Sequence, residues 1–149
     1  MADVQDLLAR VRRLEDLAEI QRLFYDYRRF LDARDLHSYS RLFCEDGEWT
    51  GRTGSAVGPD GIQAMLEANL SPNPPAPHAT SWHIVSNPTI DLDGDRATAQ
   101  TTWALIRRAS GDVPQVALLG HYDDVLAREN GRWKFKRRQA SMDIPDHPV

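Results

Sequence analysis

A histidine occupies the middle of the segment SWHIVSNP, which begins at Ser81 and otherwise has the pattern of a short buried strand ending at an Asn-Pro turn. Because side chains alternate along a strand, His83 is expected on the face of Ser81 and Val85, with Trp82 and Ile84 on the opposite face. His83 therefore has apolar neighbours on both faces. It is either a core histidine with one satisfied hydrogen bond or a base inside a pocket, and a partner elsewhere in the chain must decide between the two.

Two polar side chains near the end of a helical segment are candidates for that partner. Asp32 directly follows the apolar pair Phe30 and Leu31, and Tyr27 lies one helical turn before Leu31 on the apolar face. A solvated helix end explains Asp32 equally well, and core packing with a hydroxyl that reaches the surface explains Tyr27. A histidine, a carboxylate and a tyrosine are nevertheless the groups that cofactor-free proton transfer requires.

Polar residues also interrupt the apolar faces of two predicted C-terminal strands. Arg137 has the strand spacing of Trp133 and Phe135, so it is predicted to intrude on a buried row, where a charge requires a carboxylate or an anionic ligand. His121 and Tyr122 are adjacent in a strand and point to opposite faces, so only one of them can face a pocket. The sequence leaves open which of the two does.

Three tryptophans, Trp49, Trp82 and Trp103, are expected to line such a pocket and to favour a hydrophobic, ring-bearing compound.

Other chemistries lack their motifs, because the chain contains no phosphate-binding glycine loop, no dinucleotide-binding glycine pattern and no G-x-S-x-G elbow. The five histidines never pair at metal-ligand spacing, so no metal site is predicted. The single cysteine, Cys44, follows Phe43 at a predicted helix end and is interpreted as a small buried hydrophobe.

The bulk composition is that of one globular domain. The chain has 149 residues, of which 41% are hydrophobic and 27% charged. A net charge of −4 argues against nucleic-acid binding, and the basic run RWKFKRR is interpreted as a solvated strand face or a guarded sheet edge. No apolar run is long enough to span a membrane, and the N-terminal segment lacks the pattern of a secretory signal. A cytoplasmic protein without a membrane partner is therefore expected.

The elements that must position these residues change type along the chain. Apolar residues spaced by threes and fours predict one long helix, or two joined by a bend, from Val4 to about Ala33, and further helices in DLHSYSRLF and GPDGIQAMLEANL. The proline-rich stretch SPNPPAP is expected to be a loop. Helices followed by an antiparallel meander predict an α+β domain, with the helices packed on one face of a curved sheet. The alternating segments predict strands over residues 80–86, 89–92, 96–108, 116–128 and 132–141.

Three segments occur in an order that is informative about the fold: EIQRLFYDYRRFLDARDLHSYSRLFCEDGEW, then WHIVSNPTIDLDGDRATAQ, then GHYDDVLARENGRWKFKRR. Together they resemble the SnoaL-like branch of the nuclear transport factor 2-like superfamily. The resemblance implies a single domain over 1–149, with a core of about 14–141 and a tail of 142–149. It also implies a cone-shaped α+β barrel, in which a long N-terminal helix and a short third helix pack on a strongly curved antiparallel sheet. Members of the superfamily commonly form dimers or trimers, so a homo-oligomer is expected.

Within this branch the chain most resembles scytalone dehydratase, hexachlorocyclohexane dehydrochlorinase and bile-acid dehydratase. The resemblance implies that Asp32 in FLDARDL orients His83 in WHIVSNP, that His83 removes a proton from the substrate, and that Tyr27 belongs to the active site. The function it implies is a lyase of the dehydratase type that needs no cofactor. An isomerase or polyketide cyclase using the same cavity, and a non-catalytic binding or assembly module, are the alternatives.

Overall fold

The computed structural model describes residues 3–145. Helix α1 covers Val4–Ala33, α2 covers Leu36–Ser40 and α3 covers Gly58–Asn69. None of these helices is long and apolar enough to cross a membrane. The seven strands are β1 (Phe43–Gly51), β2 (Gly54–Val57), β3 (Ser81–Val85), β4 (Thr89–Asp93), β5 (Arg96–Arg108), β6 (Pro114–Glu129) and β7 (Arg132–Ile144).

The strands form one sheet in the order β2-β1-β7-β6-β5-β3, and β4 pairs with β5 beside β3. Every pairing is antiparallel except that between β1 and β7, which is parallel. The α+β class, with helices packed on a curved sheet, is therefore confirmed. The sheet differs from the expected antiparallel barrel, because it is mixed and does not close. Its one parallel pairing is possible because β1 follows α2 in the chain and no hairpin joins β1 to β7.

Helix α1 is a single long helix, but only its second half is packed into the core. From Ile20 onwards its apolar face is buried, and Phe24 and Tyr27 contact the ring of Phe135 on β7 in edge-to-face geometry. Before Ile20 the apolar stripe lies at the surface, where Val4 is 70% exposed. The buried half thus fixes the last turn of α1 against the sheet.

Asp46 and Gly47 form an Asp-Gly pair, which is typical of turns, but both residues lie inside β1, at an irregularity of its pairing with β7. A Cβ atom on Gly47 would come within 2.9 Å of the carbonyl oxygens of Cys44 and Phe135, so a close backbone approach requires glycine there. Cys44 also lies in β1 and not at a helix end. It is buried as expected, and burial raises the pKa of its thiol.

The last strand extends past its predicted end at Ser141. It continues to Ile144, which pairs with Leu119 of β6. The predicted tail of 142–149 therefore begins inside the sheet, and its residues 146–149 lie outside the described residues.

A buried ion pair lies beneath the helices. The guanidinium of Arg138 on β7 is fully buried, and its Nε and Nη2 donate to the two carboxylate oxygens of Asp124 at 2.7 and 2.6 Å. Its central carbon lies 4.0 Å from the ring centroid of Tyr27 and 4.1 Å from those of Tyr122 and Phe135. Burial alone would lower the pKa of Arg138, but the charge and hydrogen bonds of Asp124 raise it above its ordinary value. A permanent cation is thus held among aromatic rings.

Arg137, which the strand spacing placed in the buried row, is instead exposed, and its neighbour Arg138 is the buried charge. The pairing of β7 with β6 shifts between Phe135 and Arg137, so Lys136 is an extra residue that reverses the alternation of faces. The charge that the structure does bury in this row, Arg138, is paired with the carboxylate of Asp124.

Asp124→Ala is expected to lower the free energy of unfolding by about 3–5 kcal/mol, because the Arg138 charge would remain buried without a partner. Asp124→Leu combined with Arg138→Met is expected to cost much less, because no charge then remains buried. Urea unfolding of the single and the double variant measures the difference. Equal losses of stability in the two variants would contradict this account of the pair.

Candidate active site

A cavity of about 140 Å³ lies between the helices and the sheet. All three helices and strands β1, β3, β5, β6 and β7 contribute to its lining, which is mostly aromatic and aliphatic. An engineered apolar cavity of roughly 150 Å³ in another protein holds benzene. The cavity therefore accommodates a body about the size of one six-membered ring.

His83 forms part of the wall of this cavity, and Asp32, which lines a neighbouring pocket, bonds it. Nδ1 of His83 lies 2.7 Å from Oδ1 of Asp32, and the backbone N–H of His83 donates to both carboxylate oxygens at 3.1 Å. The two side chains are 17% and 13% exposed, and His83 lines the cavity. Because a carboxylate only accepts hydrogen bonds, Nδ1 carries the ring proton and Nε2 of the neutral ring keeps a free lone pair.

The end of α1 fixes the position of Asp32. The helix ends because Arg34 adopts a left-handed backbone with φ 58°, and the Arg34 guanidinium donates to the carbonyl oxygens of Leu31 at 2.6 Å and Ser71 at 2.8 Å. The Leu31 carbonyl, which also accepts the backbone N–H of Arg34 at 3.1 Å, thus receives a second donor at the helix end. Arg28, one turn before Asp32, lies 3.5 Å from its second carboxylate oxygen, so the carboxylate is shared between a histidine and an arginine.

Asn73 joins the end of α1 to the start of β3. Its side-chain amide N–H groups donate to the carbonyl oxygens of Asp32 and Ser81 at 2.9 Å, and its side-chain oxygen accepts from the N–H groups of Thr80 and Ser81 at 2.9 and 3.2 Å. The sequence predicts the loop that contains Asn73 but not this role. The sequence feature that could have revealed it is a single side-chain amide, which can both donate and accept hydrogen bonds, in a segment whose prolines have no backbone N–H.

Three tyrosines supply a second group of polar atoms. The ring centroid of Tyr27 lies 4.6 Å from that of Tyr39 and 5.6 Å from that of Tyr122, and the indole N–H of Trp49 donates to the Tyr27 hydroxyl at 3.1 Å. The pKa values of Tyr39 and Tyr122 are raised well above the ordinary tyrosine value. Burial is the largest cause, and the neighbouring Tyr27 is the second. Both therefore stay protonated at neutral pH and can donate.

Tyr39 is a cavity residue that the sequence analysis does not identify. It is fully buried, and its hydroxyl has no hydrogen-bond partner within residues 3–145. The signal that could have found it is the spacing of Leu36, Tyr39 and Ser40, which places the three on the buried face of α2.

Trp49 and Trp103, which the sequence predicts in a pocket, line the cavity together with Tyr122. Glycines leave the space that the two indoles occupy. A Cβ atom on Gly51 would lie 2.5 Å from Cη2 of Trp49, and one on Gly120 would lie 2.4 Å from Cζ2 of Trp103. A larger residue at either position would therefore overlap the indole that packs there.

Trp82 and His121 do not line the cavity, which corrects their predicted roles. Trp82 lies on the other face of β3 from the histidine beside it, and the Arg108 guanidinium carbon lies 5.7 Å from its ring centroid. His121 lies 2.8 Å from Asp143, and this hydrogen bond raises the pKa of His121. Strand alternation turns both side chains away, so Tyr122 is the member of its pair that faces the cavity.

The arrangement combines a nitrogen base, hydroxyl donors and an apolar enclosure. In the described part of the chain, no three His, Cys, Asp or Glu side chains are grouped as metal ligands would be. A free imidazole nitrogen beside tyrosine hydroxyls can remove a proton from a carbon acid and polarise an oxygen of the same molecule.

Comparison with known proteins identifies one sequence family. Residues 12–139 match the family described as SnoaL-like domain. No protein of curated function matches the chain.

Several solved structures share the fold. An NTF2-like protein with a cystatin-like fold from Novosphingobium aromaticivorans has a TM-score of 0.83 and 26% identity, over 98% of this chain and 94% of that one. A proposed scytalone dehydratase from the same bacterium has a TM-score of 0.72 and 27% identity, over 92% and 91% of the two chains. A hexachlorocyclohexane dehydrochlorinase, LinA type 2, has a TM-score of 0.74 over 88% and 87%, and its 23% identity supports the fold alone.

Gly51→Ala is expected to displace Trp49 and break its hydrogen bond to Tyr27, because the added methyl group would lie 2.5 Å from the indole. The NMR signal of the Trp49 indole N–H should then shift and exchange faster with water. Gly61→Ala in α3 is the matched control, since the nearest heavy atom to its added methyl is 4.0 Å away. An unchanged indole signal in Gly51→Ala would contradict the packing described here.

Proposed function

The chain belongs to the SnoaL-like domain family, and from that premise we propose that it is a small-molecule lyase that catalyses a dehydratase-type elimination. In this proposal His83 is the general base, Asp32 orients it, and Tyr27 donates a proton or polarises a carbonyl. The observation that carries the proposal is the 2.7 Å contact between Asp32 and His83 at the wall of an apolar cavity.

The base in this proposal is Nε2 of His83. Asp32 keeps the ring proton on Nδ1 and stabilises the imidazolium that forms when Nε2 takes a proton from carbon. Asp32 lies in the last turn of α1, where the negative end of the helix dipole also favours a cation. A positioned base of this kind typically contributes about 10²- to 10⁴-fold to the rate.

The tyrosine hydroxyls in this proposal donate hydrogen bonds to a carbonyl oxygen of the substrate. As the C–H bond breaks, charge moves onto a carbonyl oxygen, and Tyr27 can donate to it because its own hydroxyl oxygen already accepts from Trp49. The guanidinium carbon of Arg138, which is paired with Asp124, lies 4.0 Å from the ring centroid of Tyr27, so the cationic side of a fixed ion pair lies next to the donor. The electron pair of the C–H bond then forms the double bond, and the leaving hydroxyl takes a proton from the imidazolium and departs as water.

An isomerase or polyketide cyclase is the second candidate. It is favoured by the grouping of three tyrosine hydroxyls around the cavity, since several donors permit reprotonation at a different atom without loss of a leaving group. An isomerase is distinguished by a product of unchanged mass. The binding-module alternative also has support, because Asp32 bonds the backbone of β3 and so has a structural role that needs no catalysis.

Single-ring β-hydroxy and β-halo ketones are the probes for this proposal, beginning with 3-hydroxycyclohexanone. Its elimination releases water and forms cyclohexenone, which ultraviolet absorbance follows. His83→Gln and Asp32→Asn are each expected to slow the reaction by about 100-fold or more, because the positioned base is lost. His121→Gln is the matched control, since it removes a histidine that is bonded to an aspartate outside the cavity.

Deuterium uptake from D₂O, read by NMR on the same compounds, separates the candidates. Uptake without enone formation favours the isomerase. If His121→Gln slows elimination as much as His83→Gln does, the assigned base is wrong. If the wild-type protein binds these ketones but neither exchanges their protons nor eliminates, the lyase proposal fails and the binding module takes its place.

A further inference from the structure

One cation at the mouth of the cavity has no counter-charge within the fold. Arg52 lies in the turn between β1 and β2, is exposed, and lines the same cavity as His83. Across residues 3–145, no carboxylate comes within 4.0 Å of its guanidinium. Arg28 and Arg138, by contrast, are each paired with an aspartate, and the Arg34 guanidinium donates to the carbonyl oxygens of Leu31 and Ser71. Arg52 is thus available to an anion from outside the chain.

The next residue in the turn adds a second donor. The hydroxyl oxygen of Thr53 is buried, and no described residue forms a hydrogen bond with it, although Thr53 lines the cavity. A buried hydroxyl without a partner is unfavourable unless something else bonds it. A guanidinium and a hydroxyl are both donors that the oxygens of a carboxylate can accept.

The sheet topology separates this turn from the base. β1 and β2 form one end of the strand order and β3 forms the other, so Arg52 and His83 approach the cavity from opposite ends of the sheet. Trp49 and Trp103 contribute to the lining as well. A molecule that contacts both Arg52 and His83 therefore occupies the cavity that they share with these tryptophans.

We propose that the occupant is a single-ring carboxylic acid, whose carboxylate binds Arg52 and Thr53 and whose ring fills the cavity, with the reacting carbon at His83. A cavity of about 140 Å³ holds one such ring. Because Arg52 is exposed, the carboxylate keeps part of its hydration while the ring is buried, which limits the desolvation penalty of the charge. The inference rests on the proposed function only in calling this acid a substrate.

Binding of cyclohexanecarboxylate and of the neutral, equally shaped cyclohexanecarboxamide tests the anion site without turnover. Tryptophan fluorescence follows both titrations. The wild-type protein is expected to bind the acid at least about tenfold more tightly than the amide, as a charge-assisted hydrogen bond typically provides. Arg52→Gln should reduce this preference to about twofold or less. Arg10→Gln, an equal change of net charge on the exposed part of α1, should leave it intact.

His83→Gln tests whether a protonated imidazole, and not Arg52, attracts the carboxylate. The preference for the acid should survive this change. The anion site is overturned if wild-type protein binds acid and amide equally, if the preference survives Arg52→Gln, if it is lost in His83→Gln, or if neither compound binds at millimolar concentration.

These outcomes are separable from failure of the proposed function. An acid preference that depends on Arg52, together with elimination that His83→Gln leaves unchanged, retains the anion site and rejects the lyase. Elimination that requires His83, with no Arg52-dependent preference, retains the lyase and assigns it a neutral substrate.

Discussion

The carboxylate of Asp32 fastens the edge strand β3 to the end of α1. Both of its oxygens accept the backbone N–H of His83, and one of them also bonds the imidazole ring. The contact that docks the strand is therefore the contact that orients the ring. Arg34 and Asn73 support it, because they satisfy the carbonyl oxygens of Leu31 and Asp32 at the helix end. Local stability and the geometry of the proposed base depend on the same few hydrogen bonds.

A second ion pair organises the other polar group of the cavity. Arg138 is wholly buried, bonded to Asp124, and surrounded by aromatic rings that include those of Tyr27 and Tyr122. In a low-dielectric interior such a pair is costly to break, and the aromatic rings pack directly against its cation. The cavity thus has an imidazole held by a carboxylate and tyrosine hydroxyls held near a guanidinium. The proposed elimination, in which a proton leaves carbon while negative charge collects on oxygen, would use both groups.

Features with a regular period were predictable from the sequence, whereas local irregularities were not. Spacing by threes and fours located α1, and the pairing of Asp32 with His83 was implied by the resemblance to the SnoaL-like branch. Strand alternation does not hold at Lys136, because the bulge there depends on the pairing with the neighbouring strand. Arg138 is therefore buried in the row where Arg137 was predicted. Arg52 lies in a turn, where no period applies, so only the cavity reveals it.

The tautomer of His83 is the most direct test of the proposal that Asp32 orients His83 as a base. Long-range ¹⁵N NMR of the neutral ring distinguishes the protonated nitrogen from the free one, in the wild-type protein and in Asp32→Asn. The account requires a proton on Nδ1 and a free Nε2 in the wild-type protein, and a loss of that preference in Asp32→Asn, because an asparagine amide can donate to Nδ1. A wild-type ring protonated on Nε2, or the same tautomer in both proteins, would contradict the assignment of His83 as an oriented base.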